Sequence, residues 1–401
     1  MTTFTLTTNT DSLVGGAGND IFNGTYIDGE VSATFNISDV LNGGAGTDTL
    51  DITPIGIAAI TPIDDYWSDI SNIEKVVINT TGAGAQTITT GASFNAAFAA
   101  SGVDLNTTSD AGAQTIDMSS FTGAATLTTT STGGGQTITS GSGHTTVTAS
   151  STAGAQTISG AGLYSVTATS IDGAQTISGA HLHDVTATST SGAQTITGAH
   201  LISVTATTTG AQTITTSAGA QDITSVSSAP TNTISTRAGN DHISAVNATG
   251  NYTVDAGTGV DSIYGGAGND SLVGGTGNDV INGGTGNDTI MGGAGKDNLT
   301  GGTGNDSFVL NSKAGFDKIN DFSVTDDTIS IDHSVFTSLT AITADNLVIG
   351  THAADANDFL VYNSNTGKLS YDVDGNGAGH AVVIAVLGVH LDLTSSDFAV
   401  V

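Results

Sequence analysis

The chain has 401 residues, of which 37 are acidic and 6 basic, for a formal charge of −31. A charge of that sign repels polyanions, which excludes nucleic acid as an expected partner, and it makes the chain repel itself unless cations bind. With 55 Gly, three Pro and 5% aromatics, the composition suits a repeat coil whose thin slices each bury a few Val, Ile, Leu or Ala, not an enzyme around one large core. The absence of Cys removes disulfides, thiolate metal sites and a cysteine nucleophile, and no run approaches the roughly 18 apolar residues of a membrane span.

The opening MTTFTLTTNTD lacks the basic start and apolar run of a Sec-type signal peptide. Residues 1–80 carry two phrases, GGAGNDIFN from Gly15 and GGAGTDTLD from Gly43, which put Asp20 and Asp48 at the same place in each. DDYWSDISNIEKVVI follows with the only Trp, Trp67. This segment is expected to be an N-terminal cap, with an exposed apolar run around Trp67 as the contact for a cell surface or the next subunit.

From 81 to 228 the phrase [AG]-Q-T-I recurs, with Gln at 86, 114, 136, 156, 175, 194 and 212, then AQDI at Gln221. The spacings fall to 18 and finally 9. Each turn is expected to carry one strand such as QTIS and another such as YSVTATS, in which Val166 and Ala168 face in while Ser165, Thr167 and Thr169 face out. Neutral Gln side chains can stack as an amide ladder. Outward pairs Thr87/Thr89, Thr137/Thr139, Thr195/Thr197 and Thr213/Thr215 make T-x-T rows, interrupted by Asp117, Ser159 and Ser178. His181 and His200 fall at equivalent places in GAHLHD and GAHLIS, so the two are expected to stack, as a transition-metal pair or as water-facing corners.

Residues 229–310 pass through RAGNDHIS (Asp241) and AGTGVDSI (Asp261) into five contiguous nine-residue phrases: GGAGNDSLV, GGTGNDVIN, GGTGNDTIM, GGAGKDNLT and GGTGNDSFV. The glycines Gly266, Gly268, Gly275, Gly277, Gly284, Gly286, Gly293, Gly295, Gly302 and Gly304 let the backbone turn sharply and present carbonyls; Asp270, Asp279, Asp288, Asp297 and Asp306 supply carboxylates; the large apolar residue two places on points inward. Two phrases, eighteen residues, close one turn, so Asp261, Asp279 and Asp297 should form one column and Asp270, Asp288 and Asp306 another. These phrases resemble the RTX family of calcium-binding repeats. The resemblance implies Ca2+ between stacked turns, at these aspartates and glycines and at Asp20 and Asp48, and aligning GAGAQTIT with GAGNDSLV puts Gln86 in the slot of Asp270, so that the Gln coil is expected to be calcium-free.

Residues 311–401, ending in DFAVV, are similar to the C-terminal region of serralysin-type secreted proteins, which implies a cap followed by a signal read by a type I secretion machine. A last edge strand is the other reading of Asp397, Phe398, Ala399, Val400 and Val401. Asp372, Asp374, Asn376 and Gly377 match the opening of an EF-hand loop, but the twelfth position is Val383 where a Glu is needed, leaving a calcium loop or a plain polar hairpin. H-E-x-x-H and G-x-S-x-G are absent, so the protease half of the resemblance is missing and no enzyme is expected.

The fold expected is all-β, a right-handed parallel β-solenoid. Calcium repeats, the C-terminal signal and a Thr/Gly/Ala-rich body resemble RTX-type S-layer proteins of Gram-negative bacteria. The resemblance implies an exported structural protein that assembles into a surface layer or matrix, with cell-surface polysaccharide as a further partner. An adhesin or ice-binding solenoid is the alternative.

Overall fold

A computed structural model describes residues 1–27, 33–54, 64–79, 84–377 and 379–401. The chain is a parallel β-solenoid, formed as two compact units, Met1–Gly210 and Ala211–Val401. The start of the Gln coil near residue 81, with Gly82 of the GAGAQTIT phrase, lies outside the described residues.

In the first unit, strands Gln86–Thr89, Gln114–Asp117, Gln136–Ser140, Gln156–Gly160, Gln175–Gly179 and Gln194–Gly198 pair in parallel, residue for residue. Ile88, Ile116, Ile138, Ile158, Ile177 and Ile196 therefore form one buried column. Facing them, the strands from Val103–Ser109 to Ser203–Thr208 align Leu105, Leu127, Val147, Val166, Val185 and Val204. Period-two alternation drives this: Val166 and Ala168 are buried, while Thr167 and Thr169 are exposed and Ser165 lies between. Each buried aliphatic side chain contributes about 1.5–3 kcal/mol, and stacking of turns is what removes it from water.

Unlike the expected exposed patch, Trp67 is fully buried. Its ring lies 5.1 Å from Phe94 and 6.0 Å from Phe98, both on the helix Ala92–Phe98, and 5.8 Å from Phe35. An indole buries more apolar area than other side chains, so a wide slice with helical cover is where it fits. Asp64 caps that helix from a distance, accepting from the N–H groups of Gly91, Ser93 and Phe94 at 2.7–3.0 Å.

In the second unit the eighteen-residue turn holds: Ile263 pairs with Ile281 and Ile281 with Leu299, while Leu272 pairs with Ile290 and Ile290 with Phe308. Beyond it, Leu360–Asn363, Lys368–Tyr371 and Val382–Val386 form an antiparallel meander, and Val382–Val386 pairs in parallel with Asp317–Ile319. The strand Phe398–Val400 pairs with Thr328–Ile331, and Asp397 caps the preceding turn by accepting from the Thr394 N–H at 2.6 Å. DFAVV thus has a structural role as an edge strand.

Candidate calcium sites

Two glycine conformations make the loops of the second unit. Gly284 and Gly286 have φ of 110° and 120°, and a Cβ on Gly286 would stand 1.9 Å from the Gly268 carbonyl of the turn before, so no other residue fits. The other eight glycines named above share the positive φ.

The tight turns throw the aspartates inward, one directly over the next. The N–H of Asp241 donates to Asp261 Oδ1 at 2.8 Å, Asp261 to Asp279 at 2.9 Å and Asp279 to Asp297 at 2.9 Å. Across the coil Asp270 donates to Asp288 at 2.8 Å and Asp288 to Asp306 at 2.9 Å. The two trios expected from spacing are therefore two real columns. Gly265 and Gly283, at the heads of their phrases, come so close to the Oδ2 atoms of Asp270 and Asp288 that an added Cβ would meet them at 2.3 and 2.2 Å.

One oxygen of each carboxylate is thus spoken for. The other is not: Oδ2 of Asp241, Asp261, Asp270, Asp279, Asp288, Asp297 and Asp306 is buried and has no hydrogen-bond partner. Buried unpaired carboxylate oxygens cost free energy unless something positive meets them. Burial accordingly pushes Asp270 and Asp279 up to about 6 and Asp288 to about 7, with the neighbouring Asp charges adding to the rise for Asp279 and Asp288. Asp241, Asp261, Asp297 and Asp306 are raised for the same first reason. A stacked row of hard oxygens with no proton donor at Oδ2 suits a Ca2+ ion, and the residues present fit it.

The columns run further than the nine-residue count. Asp297 N–H donates to Asp317 Oδ1 at 3.2 Å and Asp306 N–H to Asp327 Oδ1 at 3.0 Å. Both carboxyls are buried and raised, Asp317 also by the adjacent Asp297 charge. They escape a search for GGxGxD because their spacings are 20 and 21, although KAGFDKI keeps the A-G-x-D-x-I core. A second row was also passed over: the Asn side chains at the fifth position point the opposite way, Asn251 Oδ1 accepting from Asn269 N–H and Asn269 Oδ1 from Asn287 N–H, at 2.9 and 2.8 Å.

Asp20 and Asp48 form a shorter version. Asp20 N–H donates to Asp48 Oδ1 at 2.7 Å, and Asp48 N–H to Glu74 at 2.9 Å. Asp48 keeps a buried, partnerless Oδ2. Asp20 does not: both its oxygens accept backbone N–H bonds, from Gly16 and Thr2, which hold its carboxyl below the usual range.

The neutral coil fills the same slot differently. Gln114 Nε2 donates to Gln86 Oε1 at 2.8 Å, and the chain of amides continues through Gln136, Gln156, Gln175 and Gln194 at 2.7–2.8 Å. In the second unit the strand registers align Gln212, Asn232, Tyr252 and Asp270 in one column, which puts a Gln directly in line with the aspartates. Tyr252 hydrogen-bonds Ser225 at 3.0 Å and Gln212 at 3.2 Å, and burial pushes its phenol up to about 12.

His181 and His200 do stack, centroids 5.7 Å apart and nearly parallel. Their Nδ1 atoms are engaged by the Ala161 and Ala180 carbonyls, and rings at that spacing cannot both reach one ion at metal–nitrogen distances of about 2.1 Å. In the 372–377 loop, Asn376 turns its amide to the Ala354 carbonyl, and Asp374 accepts from Gly379 N–H, the arrangement of a polar turn closed on its own backbone. Among the described residues no helix is long and apolar enough to cross a membrane.

The RTX calcium-binding nonapeptide repeat family model matches residues 7–25, 38–51, 249–281 and 273–308, which take in Asp20, Asp48 and the aspartates from Asp261 to Asp306. A comparison with curated proteins gave no match. The chain carries RTX repeats and is a calcium-binding β-solenoid.

Proposed function

We propose that Asp241, Asp261, Asp270, Asp279, Asp288, Asp297 and Asp306, with Asp48 near the start, hold calcium between successive turns, and that this binding switches an exported structural protein from chain to coil. The observation that carries it is the set of buried Oδ2 atoms without partners. Among the described residues no three His or acidic side chains converge, so the remaining ligands are loop carbonyls. When bound, calcium neutralises stacked carboxylates that otherwise repel across each turn.

Extracellular calcium modules bind at roughly 10⁻⁴ to 10⁻³ M. At the far lower calcium of a cytosol the charged columns resist folding, which suits passage through a type I exporter as an unfolded chain and folding outside. Assembly into a surface layer or matrix follows from the same charge: −31 keeps copies apart, and calcium lowers it and bridges surface carboxylates. Electron microscopy of the full chain with and without millimolar calcium tests this; ordered sheets or filaments that disperse in chelator are expected, and monodisperse particles throughout would overturn the assembly reading.

A binding module is the second reading. Thr87, Thr115, Thr137, Thr157, Thr176 and Thr195 stand in one straight outward column, a regular hydroxyl surface of the kind an adhesin or ice-binding protein presents. Thermal hysteresis of freezing in the monodisperse protein would favour it.

A further inference from the structure

A column of rings stands beside one sheet of the first unit. His144 lies on Tyr164 with centroids 4.3 Å apart, and Tyr164 on His183 at 4.9 Å and 17°. The spacing is close to that of adjacent strands, about 4.8 Å: Tyr164 and His183 precede the paired residues Ser165 and Asp184, and a register shift between Thr145 and Thr146 lets the extra residue Tyr164 lie over His144. One turn earlier the equivalent position is Ala124, and before that Gly102, since Ala125 pairs with both Thr145 and Val103. The column therefore stops at His144, with small residues where the next ring would be.

The space left is an open groove of about 410 Å³ lined by Glu74, Gly102, Asp104, Ala124, Thr126 and His144. Its floor is small and apolar and one wall is the imidazole. Its rim carries two carboxylates and the Thr126 hydroxyl. Glu74 is steadied by the Asp48 N–H, 2.9 Å from its Oε2, and Asp104 has Lys75 Nζ at 4.0 Å, which adds a donor. A ligand that suits all of this is a flat ring about one strand spacing thick, with a C–H face and a rim of hydroxyl donors. An anionic ring is repelled by Glu74 and Asp104, and a plain aromatic ring leaves those acceptors unanswered.

We propose that this groove binds a neutral hexopyranose unit of a glycan, stacked on His144, with its hydroxyls donating to Glu74 and Asp104. That the glycan belongs to a cell surface rests on the surface-layer reading above; sugar binding itself does not. It is measured on dispersed protein, so the two fail separately.

The test is calorimetry and saturation-transfer NMR on the full chain with maltohexaose, cellohexaose and N-acetylchitohexaose. At least one is expected to bind with a Kd on the order of 1 mM, transferring saturation from the His144 ring protons. Ala124→Leu, which fills the groove, and His144→Ala, which removes the wall, should each weaken binding at least about tenfold, a loss of roughly 1.4 kcal/mol. Asn365→Ala, on the exposed turn between Leu360–Asn363 and Lys368–Tyr371, should leave it unchanged. Circular dichroism checks each fold; if His144→Ala unfolds, Ala124→Leu and the wild-type His144 signal still decide. No binding of any of the three sugars, undiminished binding in Ala124→Leu, or an equal loss in Asn365→Ala overturns the proposal.

Discussion

The backbone N–H of Asp270 donates to Asp288 Oδ1 at 2.8 Å, while Oδ2 of the same carboxylate is buried without a partner. The two oxygens of one side chain thus have separable jobs, and substitution can remove either. Asp288→Asn keeps the acceptor and discards the charge. It should bind fewer calcium ions by titration calorimetry yet melt no lower than wild type in chelator, because a carboxylate with a raised pKa has left the interior. Asp288→Ala loses both and should be less stable in chelator by about 1–3 kcal/mol.

Proton linkage gives the next expectation. Asp270 and Asp279 at about 6 and Asp288 at about 7 lie above the ordinary 3.8. For a carboxyl raised in the folded state, the stabilising contribution is full below pH 3.8 and is lost as pH rises through 6 to 7. In chelator the full chain should therefore melt at a higher temperature at pH 5 than at pH 8, with calcium reversing the order, since the ion requires the deprotonated form. Thermal melts across pH with and without calcium measure it.

The amide ladder should be intolerant of charge. Gln156 donates to Gln136 and accepts from Gln175, at 2.7 and 2.8 Å. Gln156→Glu removes the donor and buries a carboxylate, so a loss of about 1–3 kcal/mol is expected at pH 7 and less at pH 4, read by denaturant unfolding. Ile177→Asp, in the dry column, should unfold neighbouring turns, whereas Thr176→Ser on the outer face should be nearly silent. Calcium should not rescue Ile177→Asp, as the slot of this stretch holds neutral glutamines and no carboxylate.

Trp67→Ala should cost about 3–5 kcal/mol, the range for emptying a buried aromatic site. Had Trp67 been a contact residue, the same change would lower assembly and leave the melting temperature alone; a melt and a light-scattering run on one sample tell the two apart.

Arg237 holds φ at 74°, in the column where Gly257, Gly275 and Gly293 follow. Left-handed backbone costs an L-residue about 1–2 kcal/mol, part of which glycine returns through its looser unfolded state. Arg237→Gly should be neutral to about 1 kcal/mol more stable by chemical denaturation.

How far the sequence could be read depended on whether a residue answers to the repeat. Asp270 and Asp288 were legible because nine residues make a half-turn, and Gln86 and Gln114 because an amide can do alone what carboxylates cannot. Asp317 and Asp327 were hidden by inserted residues that lengthen the turn without moving the slot. The helix Ala92–Phe98 gives no period-two signal, and its cap, Asp64, stands 27 residues before Gly91. Trp67 was misjudged because its cover, Phe94 and Phe98, sits outside the segment that contains it. Tyr252 occupies a ligand column as an aromatic, which no count of acidic residues detects.

The matched registers bear on how such a chain changes length over generations. Ile263, Ile281 and Leu299 occupy interchangeable rungs, as do Leu272, Ile290 and Phe308. Copying or deleting one eighteen-residue stretch of the gene leaves each remaining rung facing a neighbour of the same kind, so this part of the coil can gain or shed whole turns in a single genetic event.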